Sequence, residues 1–166
     1  MSRFLGLLLL ACLALGANLA KAEDPFGRAA TPAEVIGAWE RMPYPAAVAK
    51  EINRVNAWPL PFQYFLMLED GRINWIMSRA RQIGLTRQGL LETLERLPWN
   101  RYKARPGRME IDYPASPEIR ESWRIDIVTR DLLVVGLPHR KGDLVMSLEV
   151  GGSEIIYYRT LRKLVE

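Results

Sequence analysis

Few residues in this chain have the types and spacing that do chemistry. There is one histidine in the whole sequence, His139, set in Leu-Pro-His-Arg-Lys-Gly-Asp. A metal site or a nucleophilic triad needs partners for it, and thiolates are missing from its surroundings. The adjacent Arg140 and Lys141 also repel cations, so His139 reads as a loop residue. Glu110 and Asp112 lie two apart, on one face of an expected strand, and such a pair could act as the acid and base of a glycosidase. Their expected cross-strand partners are Lys103 and Arg101, which turns the pair into solvated ion pairs instead. The sequence contains no Gly-x-Ser-x-Gly, no phosphate loop and no haem-attachment motif. These residues point away from an enzyme and imply no cofactor and no metal.

The aromatic residues are more informative, and they require a scaffold. Tyr64, Trp75, Met77, Tyr102, Met109, Trp123 and Tyr157 all fall on apolar faces of expected strands. Walls of this kind, with a few hydroxyls and indole N–H groups, line cavities for small apolar molecules. The same residues could equally fill a solid core, because small barrels fill easily.

The chain begins with export signals. Arg3 precedes an apolar run from Phe4 to Leu15, and Ala20-Lys21-Ala22 provides a small-x-small cleavage pattern. The run is shorter than the roughly 18 apolar residues of a spanning helix. Residues 1–22 are therefore expected to be a signal peptide, with residues 23–166 a single domain in the periplasm or outside the cell. An alternative is a lipid anchor at Cys12, since Leu-Leu-Ala-Cys loosely resembles a lipobox. Cys12 is the single cysteine of the chain. Cleavage after Ala22 would remove it, leaving no disulfide, so stability must come from packing. Cleavage would also remove Arg3 and Lys21, leaving 21 basic against 19 acidic residues. That near-balance argues against a nucleic-acid partner.

The elements that must position the aromatics are mostly short strands. Thr31-Pro32-Ala33-Glu34 is a helix start, with Thr31 as cap and Glu34 completing a capping box. Pro45 to Asn56 has helical spacing, and Trp58-Pro59-Leu60-Pro61 is an extended link. Asp70-Gly71 between apolar runs predicts a two-residue hairpin turn. That turn sets Glu69 against Arg72, Leu68 against Ile73, Leu66 against Trp75 and Tyr64 against Met77. Thr86 to Leu97 predicts a helix with a stripe of Leu90, Leu91, Leu94 and Leu97, stopped by Pro98. Pro106-Gly107 predicts a second hairpin through a type II turn. In it Arg105 faces Arg108, Lys103 faces Glu110 and Arg101 faces Asp112. Trp123 to Ile127 alternates apolar and charged. Leu132 to Leu137 reads as one buried strand, followed by a loop to Gly142. A last hairpin turns at Gly151-Gly152 and puts Leu144, Met146 and Leu148 on a face with Ile155, Tyr157 and Arg159.

The sum is mainly β: one antiparallel up-and-down barrel of about eight to nine strands, with one or two short helices. Gly37-Ala38-Trp39, after a capped helix and opening the first long strand, resembles the Gly-x-Trp signature of lipocalins and related calycins. The likeness is closest to bacterial lipocalin-like domains, and it covers roughly Ala33 to Lys163. It implies a basic residue of the last strand packed across Trp39 to close the base, and Arg159 is the expected one. It also implies a calyx for a small hydrophobic ligand. A second class of function stays open: an accessory, assembly or inhibitor protein that binds an exported enzyme through its outer surface. The Trp58–Pro61 link and the Thr86–Leu97 helix would form that surface.

Overall fold

The computed structural model describes residues 26–52, 60–134, 136–150 and 154–165. The expected signal peptide, Cys12, the end of the 45–56 helix, Trp58, Pro59 and the Gly151-Gly152 turn lie outside them. Within the described residues the chain is β1 (Gly27–Ala29), α1 (Pro32–Val35), β2 (Gly37–Met42), α2 (Ala46–Ile52), β3 (Phe62–Met67) and β4 (Arg72–Ser78). Then follow α3 (Arg87–Leu94), β5 (Asn100–Arg105), β6 (Arg108–Asp112), β7 (Arg120–Val128), β8 (Leu132–Val134), β9 (Leu137–His139), β10 (Leu144–Val150) and β11 (Glu154–Lys163).

Eight of these strands close a barrel in the order β2-β3-β4-β5-β6-β7-β10-β11, with β11 back on β2 and every pairing antiparallel. Each neighbour in the wall is the next long strand in the chain, so the expected up-and-down barrel is observed. β1 is an additional strand on β7. It takes up the edge at Asp126–Val128, next to the Arg120–Arg124 stretch that pairs with β6. The β8–β9 hairpin is an insertion between β7 and β10. No helix among the described residues is long and apolar enough to cross a membrane.

Local chemistry explains the elements that were expected. Glu34 accepts from both the backbone N–H and the hydroxyl of Thr31, each at 2.9 Å, and so fastens the start of α1. Thr86 caps α3 by accepting from the Gly89 N–H at 3.2 Å. The β5–β6 hairpin has the register that Pro106-Gly107 implies, from Arg105 opposite Arg108 to Arg101 opposite Asp112. Tyr102, Met109 and Ile111 accordingly share the interior.

The β3–β4 hairpin is shifted by one residue from the expected register. Leu68 donates its N–H to the Arg72 carbonyl at 2.8 Å, and Glu69, Asp70 and Gly71 form a three-residue loop. Gly71 takes φ +80°, the left-handed position such loops require. Arg72 pairs with Asp70 at 2.7 Å rather than with Glu69. Phe65 now faces Trp75 and Met67 faces Ile73. A one-residue slip exchanges the faces of a strand. Alternation could not resist it, because β3 is buried on both sides. Phe65 and Met67 enter the interior core, while Tyr64 and Leu66 lie on the outer wall with Leu68 beneath Leu90 and Leu94 of α3.

Two further expectations are corrected. The stretch from Leu132 to Leu137 is not one buried strand. It turns at Gly136 (φ +77°) into the β8–β9 hairpin, and Leu133 is 71 % exposed. His139 is not a loop residue. It is buried at the end of β9, with its ring 5.3 Å from the ring of Phe26 and its Nδ1 3.5 Å from the Thr160 hydroxyl. In β10–β11, Met146 and Leu148 pair with Arg159 and Tyr157, the faces expected, with a bulge at Leu148/Glu149.

Candidate ligand site inside the barrel

The base of the barrel is built first, by Gly37 and Trp39. Gly37 has φ +145°, and a Cβ there would lie 2.8 Å from Lys163 Cε, so glycine leaves room for that side chain to cross. Trp39 is buried, and its indole N–H donates to the Val35 carbonyl at the end of α1 at 3.0 Å. Lys163 sits directly across the β11–β2 pair from Trp39, with Nζ 5.6 Å from the ring centroid. The basic residue at the base is therefore Lys163, not Arg159. Arg159 stands on the same face four residues earlier, roughly 13 Å further up the wall at the rise of a strand.

That position makes Arg159 the centre of a different arrangement. Its side chain is buried, 2 % exposed. Its guanidinium carbon lies 4.1 Å from the ring centroid of Trp123, 4.9 Å from Phe65 and 5.5 Å from Tyr157. Burial pushes the guanidinium down to about 10, and the nearby Tyr157 and Glu121 oppose that shift. It stays protonated at neutral pH.

Around it, inward-facing polar groups are buried without hydrogen-bond partners. Gln63 is 1 % exposed and neither its amide oxygen nor its nitrogen is bonded. Tyr157 is 2 % exposed with its hydroxyl unbonded, and the Tyr113 hydroxyl and Arg41 Nε are in the same condition. These groups are neighbours. The register that puts Trp39 beside Phe65 continues to Arg41 beside Gln63, one step beyond the last bonded pair. Arg41 lies 5.9 Å from the Tyr157 ring centroid. Tyr113 meets Trp75 edge-on at 6.0 Å, and burial together with Glu121 raises its phenol above the ordinary range. Native interiors leave few such groups, because each orphan costs about 1–3 kcal/mol.

The wall beside this cluster is thinly bonded. β4 pairs with β5 only through Arg72–Arg101 and Ile73–Asn100. Asn74 to Ser78 have no β5 partner, and Asn74 caps the edge by donating to the Pro98 carbonyl at 3.0 Å. The Trp75–Tyr113 contact bridges the two sides of the gap.

The expected wall residues divide by register. Trp75, Met77, Tyr102, Met109, Trp123 and Tyr157 share the inward face. Tyr64 does not; it is buried on the outer wall, and its hydroxyl accepts the Gln82 N–H at 2.7 Å. Tyr102 is inward, but its hydroxyl donates to the Leu68 carbonyl at 2.7 Å, and burial pushes its phenol up to about 12. Trp123 donates to Glu121 at 2.8 Å. Sequence reading missed Gln63, Phe65, Arg41, Tyr113 and Glu121. The first two were assigned to the outer face by the slipped register. Arg41 was legible two residues after Trp39, and Glu121 two residues before Trp123.

Comparison with family models, curated proteins and solved structures gave no match. The geometry alone therefore carries the functional argument. Elsewhere, Asp112 and Glu40 are engaged in ion pairs. Asp112 pairs with Arg120 at 2.7 Å rather than with Arg101, and Glu40 takes Arg81 at 2.7 and 2.8 Å. No group of three or more His, Cys, Asp or Glu side chains that could hold a metal occurs among the described residues.

Proposed function

We propose that this is an exported, non-enzymatic barrel that holds a small hydrophobic molecule in its interior. One observation carries the reading: the unbonded polar groups of Gln63, Tyr113 and Tyr157 are buried beside the rings of Phe65, Trp75 and Trp123. Water or a ligand must answer them, and an aromatic wall favours a largely apolar ligand. The thin β4–β5 seam supports the reading as a route of entry. The test is native mass spectrometry of the protein purified from its own compartment, followed by organic extraction. A bound apolar molecule is the expected result. An empty barrel that also refuses fatty acids, quinones and porphyrins overturns the proposal.

A second reading, binding to an exported enzyme through the outer surface, has a narrower basis than the helix first suggested. The apolar stripe of α3 is spent on the barrel wall, since Leu90 and Leu94 are fully buried against Ala38, Tyr64 and Leu66. What favours it is a surface groove holding Ile83 and Val165, which are 95 % and 84 % exposed. Co-purification of a protein that Ile83→Asp releases would support it.

A further inference from the structure

We infer that the β8–β9 hairpin is an acid-released strap: the neutral imidazole of His139 latches it to the outer wall of the barrel, and protonation of that ring lets it go. This concerns the outer wall and is independent of what the interior holds.

The hairpin is well placed to part from the barrel. Among the described residues its strands pair with each other, through Leu132–His139, Leu133–Pro138 and Val134–Leu137, and stand outside the barrel ladder as a separate two-stranded sheet. The wall closes beneath it without its help, since Gly142 donates its N–H to the Val128 carbonyl at 2.9 Å. Leu137 and His139 are buried, while Leu133 and Pro138 face solvent. Side chains therefore fasten the hairpin to the barrel, and an element held in that way opens at lower cost than a ladder strand.

Four segments meet at His139. Its ring packs edge-on against Phe26 of the N-terminal arm at 5.3 Å. Its Nδ1 lies 3.5 Å from the buried Thr160 hydroxyl of β11, and that hydroxyl lies 2.7 Å from the Tyr44 hydroxyl in the β2–α2 connection. A neutral ring suits this chain of groups: Tyr44 donates to Thr160, and Thr160 donates to Nδ1. A proton on Nδ1 reverses the second bond and strands the Thr160 proton in a buried place.

The surrounding charges do not welcome that proton. Asp143, at the start of β10, attracts it, but both carboxylate oxygens are engaged. Oδ1 accepts from Arg162 Nε at 3.0 Å, and Oδ2 accepts from an Arg162 terminal N–H and the Arg140 backbone N–H, each at 2.8 Å. Arg162, on β11, repels a charged imidazole. Asp131 accepts the Lys141 N–H at 2.8 Å, Glu40 on β2 is held by Arg81, and Arg28 on the arm is held by Glu34. The Tyr44 phenol is raised by burial and stays neutral, close to the cationic Arg41. Tyr158 stands beyond Phe26, with the two rings 6.5 Å apart. Burial holds the imidazole below its ordinary range; Asp143 opposes that shift and Arg162 adds to it. The closed strap thus binds the proton more weakly than the open one, so acid favours opening. The effect sets in as pH falls through about 6.5, the ordinary imidazole value.

The experiment is amide hydrogen–deuterium exchange of the purified protein at about pH 7.5 and 5.5, corrected for the intrinsic pH dependence of exchange, beside an NMR titration of the imidazole. His139 is the one histidine of the sequence, so tag-free protein gives a single ring signal. The ring is expected to titrate below its value in the urea-unfolded chain. Amides of β8 and β9 are expected to lose about tenfold in protection at the lower pH, against less than about twofold in β2 and β3. A ring that titrates at or above its unfolded value overturns the inference, and so does a loss of protection that is absent or shared equally by the barrel strands. His139→Phe keeps a ring against Phe26 and removes the proton site, so its hairpin should hold the same protection at both pH values. A folded variant that keeps the wild-type response assigns it to another group and overturns the latch. The wild-type titration decides the matter if that variant does not fold.

Discussion

The two ends of the barrel interior are built from similar residues and treat their polar atoms in opposite ways. At the base, Trp39 has its indole bonded to Val35, Tyr102 has its hydroxyl bonded to Leu68, and Lys163 lies over Trp39. Further up, Gln63 and Tyr157 are as deeply placed but unbonded, around a buried guanidinium. The base thus reads as structure, optimised for packing. The upper interior leaves buried polar atoms unbonded at a cost in stability, as the proposed ligand site would.

The largest expected effect tests the base. Trp39→Ala removes a buried indole and its bond, and should destabilise the protein by about 3–5 kcal/mol in urea unfolding. A loss below about 1 kcal/mol would mean that the base is not the packed end. Leu94→Ala comes next. It tests whether the outer wall under α3 is a true second core, and about 2–4 kcal/mol of destabilisation is expected in the same assay.

The third effect has the opposite sign and is the sharpest test of the contrast. Gln63→Leu replaces an unbonded buried amide with an apolar side chain of similar size. It should leave stability unchanged or raise it by about 1 kcal/mol, while weakening ligand binding. A clear destabilisation of the ligand-free protein would show that the amide is already satisfied, and the two ends would then be alike.

The smallest effect concerns acid. Arg28 and the Thr31 backbone hold the Glu34 carboxyl down to about 2, from an ordinary 4.5. A carboxylate depressed in the folded state stabilises it above its unfolded value, and that contribution fades as pH falls from about 4.5 towards 2. Wild type should therefore melt above Glu34→Gln at pH 6, with the difference closing near pH 2. The ion pair is largely solvated, so the gap is expected to be small. A constant gap across that range would detach Glu34 from the acid response of the protein.

Much of the fold was legible because its signals are local. Pro106 cannot take positive φ and Gly107 can, so the turn and every pair of β5–β6 followed from two residues. The α1 cap followed likewise from Thr31, Pro32 and Glu34. The site was legible in half. Trp123 was found because it alternates with the polar Ser122 and Arg124, and Trp75 and Tyr157 from the faces that the expected hairpins gave them. Gln63 and Phe65 were missed because β3 has no polar face to set its register. Arg159 was assigned to the base because sequence alone cannot say which of two inward cations on one strand, Arg159 or Lys163, lies level with Trp39.

What the sequence determined by itself is the antiparallel meander, its caps and its turns, since each depends on the conformational limits of a few adjacent residues. The tertiary structure decided the face of β3, the height of Arg159 in the wall and the company of its charge. Those depend on how α3 covers one side of the sheet and on how β11 registers against β2, contacts between segments that no local pattern encodes.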